Sequence, residues 1–407
     1  MADSSQAAYS HAALPPVTVA RERTRPAIRL IALLALGHLV TDVNQGSLPA
    51  LLPFLKMAHG LSYAAVATIV LAATLSSSII QPLFGYLSDR TMRRWLLPLS
   101  VVVSGMGIGL TGVASGYLSI LVLITVMGLG AAAYHPEGYK TASGVAGDRR
   151  ATAISWFSLG GNAGVALGAP LMTVLLTGFG VEGTLGMLVP SLVVAALFVA
   201  ALPWIGRAST TSPLAASTAN RRSESMPRAM ALLIVLVAVR SWSHLGFTTF
   251  VPFYYVDVLK MDARIVGPLL FVFLGAGALG TVVAGPIADR WGARPLIRAG
   301  FLLATPCAAL FLVSHGVIAV VMLGVLGAVL ISAFSVSVVL GQAYLPRHTG
   351  MASGLIVGFA MGAGGVGVAV LGWIADHYGV SAALWISTVL PLGGFVAARF
   401  LPAPRTS

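Results

Sequence analysis

Charge is scarce in this sequence. Only 9% of its 407 residues are Asp, Glu, Lys or Arg, whereas a soluble domain carries roughly a quarter. The shortfall runs the whole length, and 57% of the chain is hydrophobic, so a membrane is the expected solvent. Cysteine is nearly absent. Cys307 stands alone in an apolar run, which excludes an intrachain disulfide and any cysteine-based metal cluster. It reads as a small buried hydrophobe. No Walker phosphate loop is present, which argues against direct drive by ATP. A membrane enzyme needs a nucleophile, metal or cofactor constellation, and none stands out. His59, His315 and His377 fall at outer loop positions, His348 at an inner one and His11 in the N-terminal tail, without metal-ligand spacing. The chain is therefore expected not to be an enzyme and to use no cofactor or metal.

The charge that is present is unevenly placed. The net charge of +12 suggests nucleic acid at first sight, but its distribution argues otherwise. Lys56, Lys260 and Arg264 fall in outer loops and Arg240 inside a helix, while the remaining Lys and Arg lie in the termini, on alternate connections or at their edges. That is the positive-inside rule, with both termini cytoplasmic. A span needs about 20 apolar residues. Twelve segments qualify, roughly 28–55, 63–87, 95–113, 117–143, 151–178, 184–205, 229–258, 264–287, 295–314, 317–343, 350–375 and 380–401. They are expected to be helices, because backbone groups in lipid bond within their own segment and the alternation of a barrel strand is missing.

An internal repeat organises the chain. Gly85-Tyr86-Leu87-Ser88-Asp89-Arg90-Thr91-Met92-Arg93-Arg94 lies between two apolar runs and returns as Gly285-Pro286-Ile287-Ala288-Asp289-Arg290-Trp291-Gly292-Ala293-Arg294. Leu52-Pro53-Phe54 precedes the first copy and Val251-Pro252-Phe253 the second. A charged hinge at matching places in two hydrophobic halves indicates a duplication. The boundaries follow: a disordered cytoplasmic tail over 1–27, one six-helix bundle over 28–205, a flexible cytoplasmic linker over 206–228 and a second bundle over 229–402.

The hinge pattern G-x-x-x-D-R-x-x-R-R resembles the loop between helices 2 and 3 of the major facilitator superfamily of transporters. That resemblance implies an all-α membrane protein of twelve helices in two pseudo-symmetric bundles, related by an axis along the membrane normal. More specific likenesses are Gly37-His38-Leu39-Val40-Thr41-Asp42, Gln81-Pro82, His135-Pro136-Glu137, Pro346-Arg347-His348-Thr349-Gly350-Met351-Ala352-Ser353-Gly354 and Gly372-Trp373-Ile374-Ala375-Asp376-His377. Together these are similar to the fosmidomycin resistance protein family, bacterial inner-membrane drug exporters, over most of residues 30–402. Gly160-Gly161-Asn162-Ala163-Gly164 and Gly168-Ala169-Pro170 resemble the superfamily's span-5 antiporter motif, with Ala169 inserted before Pro170. Their small residues suit close helix packing, as do Gly362, Gly364, Gly365 and Gly367 in the second half. One departure matters. Many drug:proton antiporters of the superfamily carry an Arg early in span 4, whereas Ser119 to Met127 holds no charge here, so their proton relay does not carry over unaltered.

Ionisable groups inside spans are costly, so each needs a reason. His38 and Asp42 are four apart in span 1 and share a face, as do Arg240 and His244 in span 7. The superfamily fold implies that both spans flank a central cavity. In the functional reading Asp42 takes the proton, with His38, His135 and Glu137 as further coupling groups. Arg240 takes an anionic substrate such as a phosphonate, with His244, Gln45 and Tyr134 beside it. Pro136 offers a kink that turns His135 and Glu137 inward. The alternative is that Asp42 and Arg240 form a pair that only neutralises both, and that His135 and Glu137 sit solvated near Lys140. Gly85, Asp89, Arg90, Arg93 and Arg94, with Asp289 and Arg290 in the second copy, form a candidate cytoplasmic gate. Alternatively they are loop caps and topology charges. The expected activity is proton-driven export of a small drug-like or anionic compound, with proton-coupled uptake of a metabolite anion as the alternative. The expected partners are substrate, protons and lipid, with no nucleic acid, for a monomer.

The hinge yields a test. Asp89→Asn is expected to shift the balance between inward- and outward-facing states without unfolding the protein. Labelling of single cysteines from either side of the membrane reads that balance, and identical labelling of wild type and variant reduces Asp89 to a loop residue.

Overall fold

The computed structural model describes residues 27–404 except 82, 85–92, 147–149 and 210–224. Among these residues the chain is helical with no strand. Twelve long helices follow in order. The first six are α1 (Ile28–His59), α2 (Tyr63–Ser78), α3 (Leu96–Gly109), α4 (Tyr117–Gly144), α5 (Arg150–Phe179) and α6 (Leu188–Ser209). The second six are α7 (Pro227–Phe253), α8 (Val266–Trp291), α9 (Ala293–Val313), α10 (Gly316–Tyr344), α11 (Met361–Tyr378) and α12 (Val380–Ala398). A π-helical turn, Tyr254–Val258, extends α7, and a second, Leu355–Ala360, leads into α11. Ten of the segments are each long and apolar enough to cross a bilayer. The other two are α2, of which 16 residues are regular helix, and α1, where His38, Asp42, Asn44 and Gln45 dilute the apolar run.

The packing has a two-fold character. α1 packs on α4, α5 and α6, and α7 packs on α10, α11 and α12. α2 lies on α4, and α8 on α10; α3 touches α4 and α6, and α9 touches α10 and α12. Each of these contacts has its counterpart six helices on, so the chain forms two pseudo-symmetric six-helix bundles. The two most extensive crossings between them are α2 against α11 and α5 against α8, with a smaller contact of α1 on α7.

Small residues set the closest approaches, since helices in lipid associate by packing and not by a hydrophobic drive. Gly160, Gly164 and Gly168, one turn apart on α5, lie on the backbone carbonyls of Ala35, Leu39 and Val43 in α1. A side chain at any of the three would collide with backbone. In the second half the glycines divide their work: Gly364 and Gly367 face Ser241 and Trp242 of α7, while Gly365 and Gly372 face Thr74 and Ala67 of α2. The second charged stretch is not a loop along its length. α8 runs unbroken to Trp291, and the chain turns only at Gly292, whose φ is 89°. Two basic residues after that turn have a structural task. Arg294 and Arg298 donate to the carbonyls of Leu401, Ala398 and Arg399, closing the end of α12.

At the face remote from the termini, polar contacts tie the bundles together. Asp376, at the end of α11, accepts from the backbone N–H groups of Tyr63 and Ala64 at 2.7 and 2.9 Å. The Ser62 side chain accepts from Ala65 N–H, so the first turn of α2 is capped partly by the other bundle. Asp257 accepts from the Tyr63 hydroxyl at 2.8 Å and pairs with Lys56 at 3.3 Å. The Lys56 ammonium also lies over the Tyr63 ring. The ion pair is partly exposed and contributes little. The cap is worth about 1 kcal/mol, a roughly fivefold shift in an equilibrium.

Asp376→Ala is therefore expected to loosen this face while each bundle stays folded. Spin labels at Met57 and Tyr378, both exposed, would show a longer, broader distance distribution in the variant. An unchanged distribution would mean that Asp376 does not hold the halves together.

Candidate functional site

His38 and Asp42 are one turn apart on α1, and α4 brings His135 to the same carboxylate. His38 Nε2 is 3.3 Å from Asp42 Oδ2, and His135 Nε2 is 3.0 Å from Oδ1. Gln45 donates to Oδ1 at 3.1 Å. The other nitrogen of His38, Nδ1, is 2.8 Å from the carbonyl oxygen of Phe157. A carbonyl only accepts, so Nδ1 carries a hydrogen and the ring is stacked on Phe157. In a neutral His38 that leaves Nε2 with a lone pair facing a carboxylate oxygen. Two acceptors at that distance are complementary only when a cation is shared between them. The three groups keep their ligand-type atoms within 4.8 Å of one another. Two imidazoles and a carboxylate suit a small cation, and the one that this hydrogen-bond pattern calls for is a proton.

The neighbouring helices make room for the cluster. Gly161 on α5 faces it: a Cβ there would stand 2.5 Å from His38 Nε2 and 2.7 Å from Asp42 Oδ2. The motif glycines thus have two jobs, since Gly160 and Gly164 seat α5 on α1 and Gly161 clears space for the charge. On α4, His135 and Tyr139 are four residues apart and both line the cavity. Glu137 is two residues from His135, roughly 200° around the helix. It is fully buried and away from the cavity lining. Pro136 therefore does not turn both acidic and basic groups inward, and only His135 joins Asp42. Tyr134 is also displaced from its expected place. It has no exposed surface and its hydroxyl donates to the Leu34 carbonyl at 2.7 Å, which makes it a core residue that pins α4 to α1.

The cluster opens on a cavity of about 310 Å³ between the bundles. His38, Asp42, Gln45 and His135 line it together with Ser77, Ser78 and Gln81 of the second span, and Ser158 and Asn162 of α5. The second bundle contributes Phe334 of α10 and Val357 from the π-helical turn before α11. Sequence reading missed Ser77, Ser78, Ser158 and Phe334 as lining residues. Polar residues in an apolar span were the available signal for the serines, whereas nothing marks Phe334 among so many apolar neighbours.

Arg240 lies outside that lining. It is 5% exposed, and its guanidinium carbon sits 4.8 Å from the centre of the Phe334 ring. Among the described residues it has no ion pair, and Nε and Nη1 have no hydrogen-bond partner. His244, one turn on, is stacked against Phe273 with Nε2 unpartnered. The alternative, an Asp42–Arg240 pair, is thus not formed among the described residues. The carboxylate is satisfied within its own bundle, and Phe334 stands against the arginine. Of the gate residues, Gly85, Asp89 and Arg90 lie outside the described residues. Arg93 is exposed and Arg94 lies against Gly206 of α6. Asp289 and Arg290 are exposed on the last turn of α8.

Comparison with known proteins agrees with this architecture. The family model for the Major Facilitator Superfamily matches residues 34–366. The fosmidomycin resistance protein of Escherichia coli (strain K12) is 31% identical over 393 residues, covering 94% of this chain and 95% of that protein. An uncharacterized MFS-type transporter, YfnC, of Bacillus subtilis (strain 168) is 33% identical over 379 residues, covering 90% and 91%. Among solved structures, a bacterial homolog of the human lysosomal transporter Spinster, inward-facing and unoccupied, superposes with a TM-score of 0.73 at 15% identity, covering 93% of this chain and 98% of that one.

Gly161 provides a stability test of the cluster's geometry. Gly161→Ala is expected to overpack the site and cost about 1–3 kcal/mol, read as a lower unfolding midpoint in detergent. Gly178→Ala, on the same helix where a Cβ meets nothing, is the control and should leave the midpoint unchanged or raised. Equal midpoints for the two variants would show that the cluster yields without cost.

Proposed function

The chain belongs to the Major Facilitator Superfamily and, within it, to the family of the fosmidomycin resistance protein, and from that premise we propose that this transporter exports a small drug-like or anionic compound in exchange for protons. The observation that carries the proposal is a pair of unlike sites on either side of one cavity. On one wall of the cavity a buried carboxylate is held by two imidazoles. Behind the opposite wall lies a buried arginine with no counter-charge among the described residues.

Arg240 takes the anionic end of the substrate. Guanidinium presents a planar fork to phosphonate or carboxylate oxygens, and the cost of burying an uncompensated charge falls when an anion arrives. A hydrogen-bond donor elsewhere on the substrate takes the Asp42 carboxylate. Proton and substrate donor then need the same oxygen lone pairs, so occupancy by one expels the other. His38 and His135 supply the acceptor and donor positions through which the proton reaches Asp42, and Gln45 holds Oδ1 in place.

The same reading assigns the rest of the chain. The protein works as a monomer in a bacterial inner membrane with both termini cytoplasmic, as the distribution of Lys and Arg supports. Residues 28–205 and 229–402 are the moving bundles, joined by the 206–228 linker and preceded by the 1–27 tail. The face closed by Asp376 and Asp257 is then periplasmic, and the hinge with Gly85, Asp89, Arg90, Arg93 and Arg94 closes the other.

Inside-out vesicles loaded with protons test the proposal. Added fosmidomycin should release protons from the lumen, read by recovery of a quenched pH dye. Uptake coupled to protons would give the opposite sign. Asp42→Asn is expected to abolish the exchange while still binding the drug. Arg240→Ala should weaken binding by about 2 kcal/mol, roughly thirtyfold, and Arg240→Lys should recover only part of that. Exchange at the wild-type rate by Asp42→Asn would rule out Asp42 as the proton carrier.

A further inference from the structure

The cavity and Arg240 are adjacent but not continuous. Phe334 of α10 lines the cavity and at the same time covers the guanidinium, with 4.8 Å between the ring centre and Cζ. Arg240 is 5% exposed and is absent from the cavity lining. Arg240 belongs to a group of unmatched polar atoms on α7. Arg240 Nε and Nη1, Ser243 Oγ and His244 Nε2 are all buried, and none has a hydrogen-bond partner. These residues sit at positions i, i+3 and i+4 of α7 and therefore share one face. Buried polar groups in native proteins are nearly always paired, and helix interiors in lipid make an orphan costlier still. Several orphans on one helix face, around one fixed positive charge, describe a polar compartment made for an anion.

We propose that Phe334 is an aromatic lid between the open cavity and a buried anion compartment formed by Arg240, Ser243 and His244. The proposal rests on Arg240 as the anion site and adds the route by which an anion reaches it. In the closed state the ring face is a surrogate partner for the guanidinium, an attraction of cation to ring quadrupole that needs no counter-ion. An entering phosphonate or carboxylate displaces the ring and exchanges that contact for a bidentate charge-assisted pair. Ser243 and His244 are placed to donate to the remaining oxygens. The lid gives selectivity of a defined kind. A neutral or cationic compound lacks the attraction needed to move Phe334 from Arg240, so it stays in the outer cavity. The class admitted is a compound with one compact anionic head, of phosphonate or carboxylate size.

A lid sets the barrier in both directions, so weakening it speeds association and dissociation together, whereas a wall residue that only contacts the bound anion changes mainly the dissociation rate, and that difference is measurable. The probe is methylphosphonate, mixed with the intact protein in lipid nanodiscs at one pH and followed by stopped-flow tryptophan fluorescence. Phe334→Ala is expected to raise association and dissociation rates at least tenfold each, with a smaller change in Kd. Phe334→Leu keeps apolar bulk without the ring face. It should fall between Ala and wild type, and it carries the test if the alanine variant does not fold. Arg240→Ala should weaken binding roughly thirtyfold in both the wild-type and the Phe334→Leu backgrounds, which abolishes detectable binding of so small a probe. If methylphosphonate binds Phe334→Ala and Phe334→Leu with wild-type rates while Arg240→Ala abolishes binding, Arg240 stands as the anion site and the lid is overturned. If Arg240→Ala leaves binding unaltered, the anion site itself fails. No binding to wild type or to either Phe334 variant overturns the compartment.

Discussion

The Asp42 carboxylate, buried in a bundle of apolar helices, sets the terms for the first half of this protein. A charge in such a place is tolerated only with partners of opposite or shared charge at hydrogen-bond distance. His38 comes from the same helix by the four-residue repeat, and His135 from α4. Holding both rings on one carboxylate requires α4 and α5 to press closely on α1. The glycines of α5 allow that approach, and Phe157 anchors the His38 ring through its carbonyl. The cluster is therefore a property of three helices packed together, and anything that moves α1 against α5 changes the environment of the carboxylate.

The second half poses the opposite problem. Arg240 is as deeply buried, yet its nearest company is a phenyl ring. The two bundles share a packing plan, but their polar interiors are not copies of each other. One holds a negative group already satisfied by protein side chains, and the other holds a positive group that lacks a protein counter-charge among the described residues. The polar interiors of the two halves thus differ in sign and in how far protein side chains satisfy them.

The contacts between the bundles differ in kind from place to place. At the face remote from the termini the halves meet through polar groups, chiefly the caps that Asp376 provides to α2. Such bonds are individually modest and are replaceable by water when the face opens. The long seam between α1 and α5, by contrast, is backbone against glycine within one bundle. Between the bundles the capping hydrogen bonds stand beside close packing of α11 on α2, where Gly365 and Gly372 meet Thr74 and Ala67.

Much of this was legible in the chain itself. Scarce charge and twelve apolar runs determined an all-helical membrane protein, because lipid admits no other unpaired backbone. The repeated Gly/Asp/Arg stretch determined the duplication, and the four-residue spacing of His38 and Asp42 determined that they meet, since helical geometry alone puts them on one face. Contacts between helices are another matter. Only the tertiary structure decided that His135 and not Glu137 reaches Asp42, because a proline helix can present either face to the cavity. Only it showed Tyr134 in the core, Gly161 clearing space for a carboxylate, and Phe334 standing between Arg240 and the cavity. Local periodicity fixes which residues share a helix face; which face meets which neighbour depends on the packing of all twelve helices at once, and that has no signature in any single stretch of sequence.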